Sequence, residues 1–114
     1  MNKSVLKECG VDYDEGVERF MGKAELFERL LKNFLVENTF EAAKTACEAD
    51  DYDGILKAIH SMKSVTGTLS MNELYKKCCD IVVDIRANKF DTIHEDFDVI
   101  YAMYQKVCEG IKNA

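Results

Sequence analysis

From Leu26 to Cys108 apolar side chains return every three or four residues, the period of an α-helix and not of a strand. Leu26, Phe27, Leu30, Leu31, Phe34 and Leu35 make one broad stripe, with Glu25, Glu28, Arg29 and Lys32 on the opposite face. Phe40, Ala43, Ala46 and Cys47 continue an apolar face to Ala49. Ile55, Ile59, Met62, Thr66 and Leu69 fall within about 80° of one another on a helical wheel. Leu74, Cys78, Ile81, Val82 and Ile85 carry the next stripe, and Phe97, Ile100, Tyr101, Tyr104, Val107 and Cys108 the last. The 114 residues contain no proline, the residue most disruptive of helix interiors. The pattern predicts an all-α protein.

The breaks between stripes are short. Asp12, followed by Glu15 at capping-box spacing, predicts a helix over residues 13–20 that Gly22 stops. Asn38-Thr39 leaves open whether residues 24–49 form one kinked helix or two. Asp50 to Gly54 is a clear connection, and Asp53 is a candidate cap for a helix running to residue 68 or 69. Ser70, with Glu73 three residues on, is a candidate cap for a helix over 71–88, and Asp91 for a last helix that Gly110 closes. Four long units joined by short links imply antiparallel neighbours. The expected architecture is an up-down four-helix bundle with one or two short N-terminal helices over one end, a single domain spanning residues 1–114.

The formal net charge of −6 argues against binding a phosphate backbone or docking on anionic lipid. No run reaches the roughly 18 apolar residues of a membrane span, and Met1 to Glu8 lack the apolar core of a secretory leader. A cytoplasmic protein is expected. The five cysteines include no Cys-x-x-Cys pair, so they are expected to be reduced, mostly buried small hydrophobes.

Two histidines are the candidate reactive groups. His60 lies roughly 120–140° from the centre of the Ile55–Leu69 stripe, at its flank. Ser64 and Gly67, at i+4 and i+7, keep its face free of bulk, and Lys63 at i+3 puts a cation beside it. Gly67 in mid-helix costs on the order of 1 kcal/mol relative to alanine, so it needs a reason. Close approach by another molecule is one; tight packing of a neighbouring helix is the other. An exposed imidazole is largely uncharged at neutral pH and offers a nucleophilic nitrogen without a general base. It can accept a phosphoryl group, whose charge Lys63 can reach. No phosphate-cradling loop or nucleotide motif accompanies it, so no autonomous enzyme is expected. Around His94, Asp91 or Asp98 stand at helical spacing, but acidic residues in a first turn follow from the helix dipole alone. No metal site is predicted.

The stretch Ile59-His60-Ser61-Met62-Lys63-Ser64-Val65-Thr66-Gly67-Thr68-Leu69-Ser70 resembles the signature of histidine-containing phosphotransfer domains, in which an Ala-His-x-Leu-Lys-Gly run and a later Leu-Gly lie on one helix of a four-helix bundle. His60 matches the phosphorylated histidine, Lys63 the lysine, Met62 the apolar position before it and Leu69 the later leucine. Gly10 to Gly22 and Lys23 to Phe34 resemble the family's first two helices, so the likeness covers roughly residues 10–110. Ser64 and Ser70 replace family glycines, and Ser64 puts a hydroxyl near the phosphoryl site.

The resemblance implies a phosphorelay carrier, in which His60 takes a phosphoryl group from, or returns it to, the phospho-aspartate of a response-regulator receiver domain, upstream or downstream of a sensor histidine kinase. Lys63 is the implied charge partner; Leu56, Ser64 and Gly67 are implied docking residues. The protein needs no cofactor of its own, because the receiver brings Mg²⁺. A free-standing monomer is expected. Three alternatives keep the helical fold: a docking or regulatory module whose His60 is never phosphorylated, a small metal-binding bundle using His94, and a self-associating bundle.

Overall fold

Seven helices account for the apolar periodicity: α1 (Lys3–Cys9), α2 (Tyr13–Arg19), α3 (Ala24–Phe34), α4 (Thr39–Glu48), α5 (Tyr52–Thr68), α6 (Asn72–Arg86) and α7 (Ile93–Asn113). The computed structural model describes residues 1–114 and contains no strand. α5 packs between α4 and α6, and α7 lies against α6, α4 and α3. α1 lies along α7, and α2 touches α1 and α3. Phe27, Leu31, Phe34, Phe40, Ile55, Ile59, Met62, Leu74, Ile81, Ile93 and Ile100 meet in one core. Leu26, Leu30 and Leu35 lie at its edge, half-buried.

Residues 24–49 form two helices. After Phe34 the amides of Leu35, Val36 and Glu37 bond to carbonyls three residues back, which tightens the chain out of α geometry. The Glu37 carboxylate then accepts the Thr39 amide at 3.0 Å, starting α4. Phe34 and Phe40 flank this break with ring centroids 6.5 Å apart, and both pack on Tyr104 of α7. The kink is thus held by buried aromatic area on both sides of it.

Three expected caps are corrected. Asp51, not Asp53, caps α5, its Oδ1 accepting the Gly54 amide at 3.0 Å. Ser70 does not cap α6. It sits in the left-handed region at φ 55°, fully buried, and its carbonyl accepts the Asp12 amide at 3.0 Å. Asp91 lies in the turn before α7, and Thr92 occupies the cap position, its Oγ1 donating to Asp96 at 2.9 Å. Asp12 does cap α2, accepting the Glu15 amide at 3.1 Å. Gly110 does not end the last helix either. It is buried inside α7, where a β-carbon would collide with Cys9 of α1, so glycine lets the two helices approach. No helix is long and apolar enough to cross a membrane.

Candidate functional site: the histidine face of α5

The rotation of α5 is fixed by its stripe. Ile55, Ile59, Met62 and Thr66 are fully buried. Thr66 tolerates this because its hydroxyl donates to the Met62 carbonyl at 2.8 Å, satisfying the one polar group on that face. With that stripe inward, His60 emerges exposed, and Ser61, Ser64 and Thr68 with it. Leu56, Lys63 and Gly67 are half-buried. The imidazole contacts of the fold belong to His94, which leaves the His60 ring to solvent. Lys63 is half-buried and forms no ion pair within the protein. His60 therefore stands with a cation one turn on and small side chains around it, the arrangement a nucleophile needs if a larger molecule is to reach it.

The two flanks of this face differ. On one side a shallow groove between α3 and α5 is lined by Leu30, Phe34, Val65 and Leu69, with Ser64 at its edge. On the other side Tyr75 of α6 lays its ring over Gly67, where an added β-carbon would stand 3.0 Å from Cδ1. The reason the structure supplies for Gly67 is therefore the neighbouring helix. Tyr75 itself is 38% exposed, so the aromatic ring forms part of the surface beside the histidine face. A hydrogen bond with the Cys79 thiol raises the Tyr75 hydroxyl pKa above its ordinary value. Periodicity alone did not find Tyr75; the available signal was an aromatic set one position off the Leu74–Cys78–Ile81 stripe.

The end of the α5–α6 turn is closed by charge and hydroxyl groups. Ser70 Oγ is buried there without a hydrogen-bond partner; the nearby Glu15 carboxyl is held below its usual range, with proximity to Ser70 the largest cause, burial opposing, and Arg19 and Asn72 adding to it. Arg19 also forms an ion pair with Glu15 at 3.3 Å.

His94 belongs to a different place. It stands at the start of α7, where its Nε2 lies 2.6 Å from Asp50 Oδ1 and its Nδ1 3.6 Å from Cys47 Sγ. Both partners come from the end of α4 and the turn after it. Asp91, offered by the sequence as a neighbour of His94, takes no part in these contacts, and no group of three or more His, Cys, Asp or Glu side chains in the structure could hold a metal ion. The five cysteines are free: Cys9, Cys47 and Cys78 are buried, Cys79 and Cys108 half-buried. Comparison with protein-family models, with curated proteins and with solved structures finds no match to this chain.

Proposed function

We propose that the protein is a phosphorelay carrier of the histidine phosphotransfer type. The observation that supports this most directly is the exposed imidazole of His60, fixed on α5 by a buried stripe and set beside Lys63 on a face with no bulky cover. In this reading α4, α5, α6 and α7 serve as the four antiparallel helices of the family bundle, with α1 to α3 over one end. The protein acts in the cytoplasm as a monomer, because only one exposed face is needed.

The transfer balances without an added reagent. A receiver domain presents an aspartyl phosphate with its own Mg²⁺. The lone pair of one His60 ring nitrogen attacks phosphorus, the N–P bond forms, and the P–O bond to the aspartate breaks. The aspartate leaves as a carboxylate, and the imidazole, keeping the proton on its other nitrogen, becomes a phosphoimidazolium. Lys63 offsets the added negative charge. The reverse step returns the group to a receiver. Leu56, Ser64 and Gly67 form the docking face, and Tyr75 borders it.

The test is direct. The protein is incubated with a phosphorus-labelled receiver, beside the His60→Gln variant. Acid-labile, base-stable label on the wild type alone is the expected result. A folded wild type that takes no label from any receiver of the same cell, yet binds one, would instead support the docking-module reading.

A further inference from the structure

Between α6 and α7 runs a groove that no residue of the histidine face lines. We propose that it is a separate docking surface, and that its occupant is an amphipathic, cationic helix of a partner protein.

The floor of the groove is apolar. Ile81 of α6 and Ile100 of α7 are buried in the core, and the concavity above them has a volume of about 360 Å³. One valine from each helix lines it. Val83 is 64% exposed and Val99 49% exposed. Single exposed apolar side chains are ordinary on a protein surface. Here two of them share one groove and sit over an apolar floor. Valine is also a poorer helix former than alanine, leucine or lysine, because the turn before it restricts its side chain. At a solvent-facing position no packing offsets that cost. An apolar side chain seated between Val83 and Val99 would.

The charge of the groove says what else the occupant carries. Asp80 stands three residues before Val83 and Asp84 directly after it; Asp96 stands three residues before Val99. An acid and a valine thus share a face on each helix. Three carboxylates line the groove against the single ammonium of Lys77. None of the four forms an ion pair within the protein, and Asp96 accepts the Thr92 hydroxyl at 2.9 Å. Their excess negative charge is left for a partner to meet.

The protein has no strand, hence no sheet edge to which an extended peptide could add. A groove between two helices takes the apolar face of a third, with anchors at i, i+3 and i+4 spacing. Leucine-like anchors would enter between Val83 and Val99, and lysine or arginine on the flanks would reach Asp80, Asp84 and Asp96. The apolar anchors supply hold; the charges supply selectivity and speed of association. A second copy of this chain fits less well. A two-fold pairing of the groove with itself would set the same aspartates opposite one another, in a protein whose formal net charge is already −6.

The inference does not rest on the role of His60. α5 packs between α4 and α6, and every residue lining the groove belongs to α6 or α7. A partner seated there leaves the His60 imidazole open.

The test uses the whole protein, labelled with nitrogen-15, and a short synthetic helix with leucines at i, i+3, i+4 and i+7 and lysine on its other face. Amide shifts should concentrate around Val83 and Val99, and affinity should fall as salt rises. A peptide with glutamate in place of lysine should bind at least ten-fold more weakly. The Val83→Ser, Val99→Ser double variant changes two exposed positions and should lose at least ten-fold in affinity with helicity intact. Asp80→Asn with Asp84→Asn should weaken binding several-fold and flatten its salt dependence, while His60→Gln should bind as the wild type does. No binding, equal affinity for the glutamate peptide, an affinity unchanged in the double valine variant, or binding lost in His60→Gln would each overturn the proposal. A concentration-dependent dimer that the double valine variant abolishes would overturn it too, by giving the groove to a second copy of the chain.

Discussion

The ring of Tyr75 on α6 covers the backbone of Gly67 on α5 so closely that a β-carbon at 67 would stand 3.0 Å from Cδ1 and 3.1 Å from Cε1. Two effects oppose one another when alanine is placed there. Helix propensity favours alanine by about 1 kcal/mol, while the new methyl presses on the ring. Tyr75 is partly exposed and can turn outward. Gly67→Ala should therefore change stability by less than about 1 kcal/mol in either direction. In a Tyr75→Ala background the ring contacts are gone and the same substitution should stabilise by about 1 kcal/mol. Denaturant melts of the four proteins give the coupling; additive effects would mean the ring does not rest on Gly67 in solution.

Gly110 offers the opposite case. The Cys9 side chain that blocks a β-carbon there is itself buried and cannot turn to solvent. Gly110→Ala should cost about 1–3 kcal/mol by overpacking the α1–α7 contact, in spite of its better helix propensity. Cys9→Gly removes both the sulfur and the β-carbon that stand in the way, so the double variant should lose less stability than the two single losses added together. Thermal melts of the set decide it.

The way α7 and α1 meet was not legible in the sequence, where Gly110 reads as a stop signal. The stripes were legible, because a 3.6-residue period written in Ile55, Ile59, Met62 and Thr66 leaves few alternatives for which face is buried. His60 followed from the same period. Helix starts were misread because three links turn on residues in the left-handed region, Asp50, Ser70 and Asn88, none of them glycine. A sequence does not mark such residues, and each moves the cap by a residue or two. The pairs Gly67–Tyr75, Gly110–Cys9 and Cys47–His94 are contacts between helices, and periodicity within one helix carries no information about them. Whether His60 has a receiver as partner is a matter of resemblance, which the geometry supports through exposure, Lys63 and the small neighbours.

The acid limb of stability should report on Tyr13 and Glu28. The Tyr13 hydroxyl donates to Glu28 Oε2 at 2.6 Å. That hydrogen bond is the main cause holding the Glu28 carboxyl below its ordinary value, with burial opposing it. A carboxyl whose folded pKa is depressed adds stability above its unfolded pKa and loses it as pH falls through the folded one. Tyr13→Phe should lower stability at neutral pH by a fraction of a kcal/mol. Its melting temperature should also fall less steeply between about pH 5 and pH 3 than that of the wild type. Parallel pH profiles for the two proteins would exclude the link.

Adjacent cysteines on α6 should react at very different rates. Burial first, and then the neighbouring Cys79, push the Cys78 thiol up to about 12, whereas Cys79 is half-exposed. Only the thiolate alkylates. Iodoacetamide at mildly alkaline pH should label Cys79 in the native protein and reach Cys78 only on unfolding, as peptide mass spectrometry would show. Equal labelling of both in folded protein would contradict the packing of α6.

Under the proposed function, Lys63 is the residue whose part in transfer can be separated from fold and docking. Its side chain is half-buried along α5 and makes no ion pair within the protein, so its removal breaks no internal bond. Lysine and alanine are both good helix formers, and Lys63→Ala should leave helicity and melting temperature close to those of the wild type. The phosphoryl group on His60 would then lack its nearby cation. One charge-assisted contact of about 1.5 kcal/mol corresponds to roughly a ten-fold slower transfer from a phospho-receiver. Affinity for the unphosphorylated receiver should change much less, since the effect arises where negative charge gathers at the ring. Lys63→Arg keeps the charge and should restore most of the rate. A Lys63→Ala variant that transfers at the wild-type rate would remove Lys63 from the site and leave His60 as the single residue on which the phosphoryl reading rests.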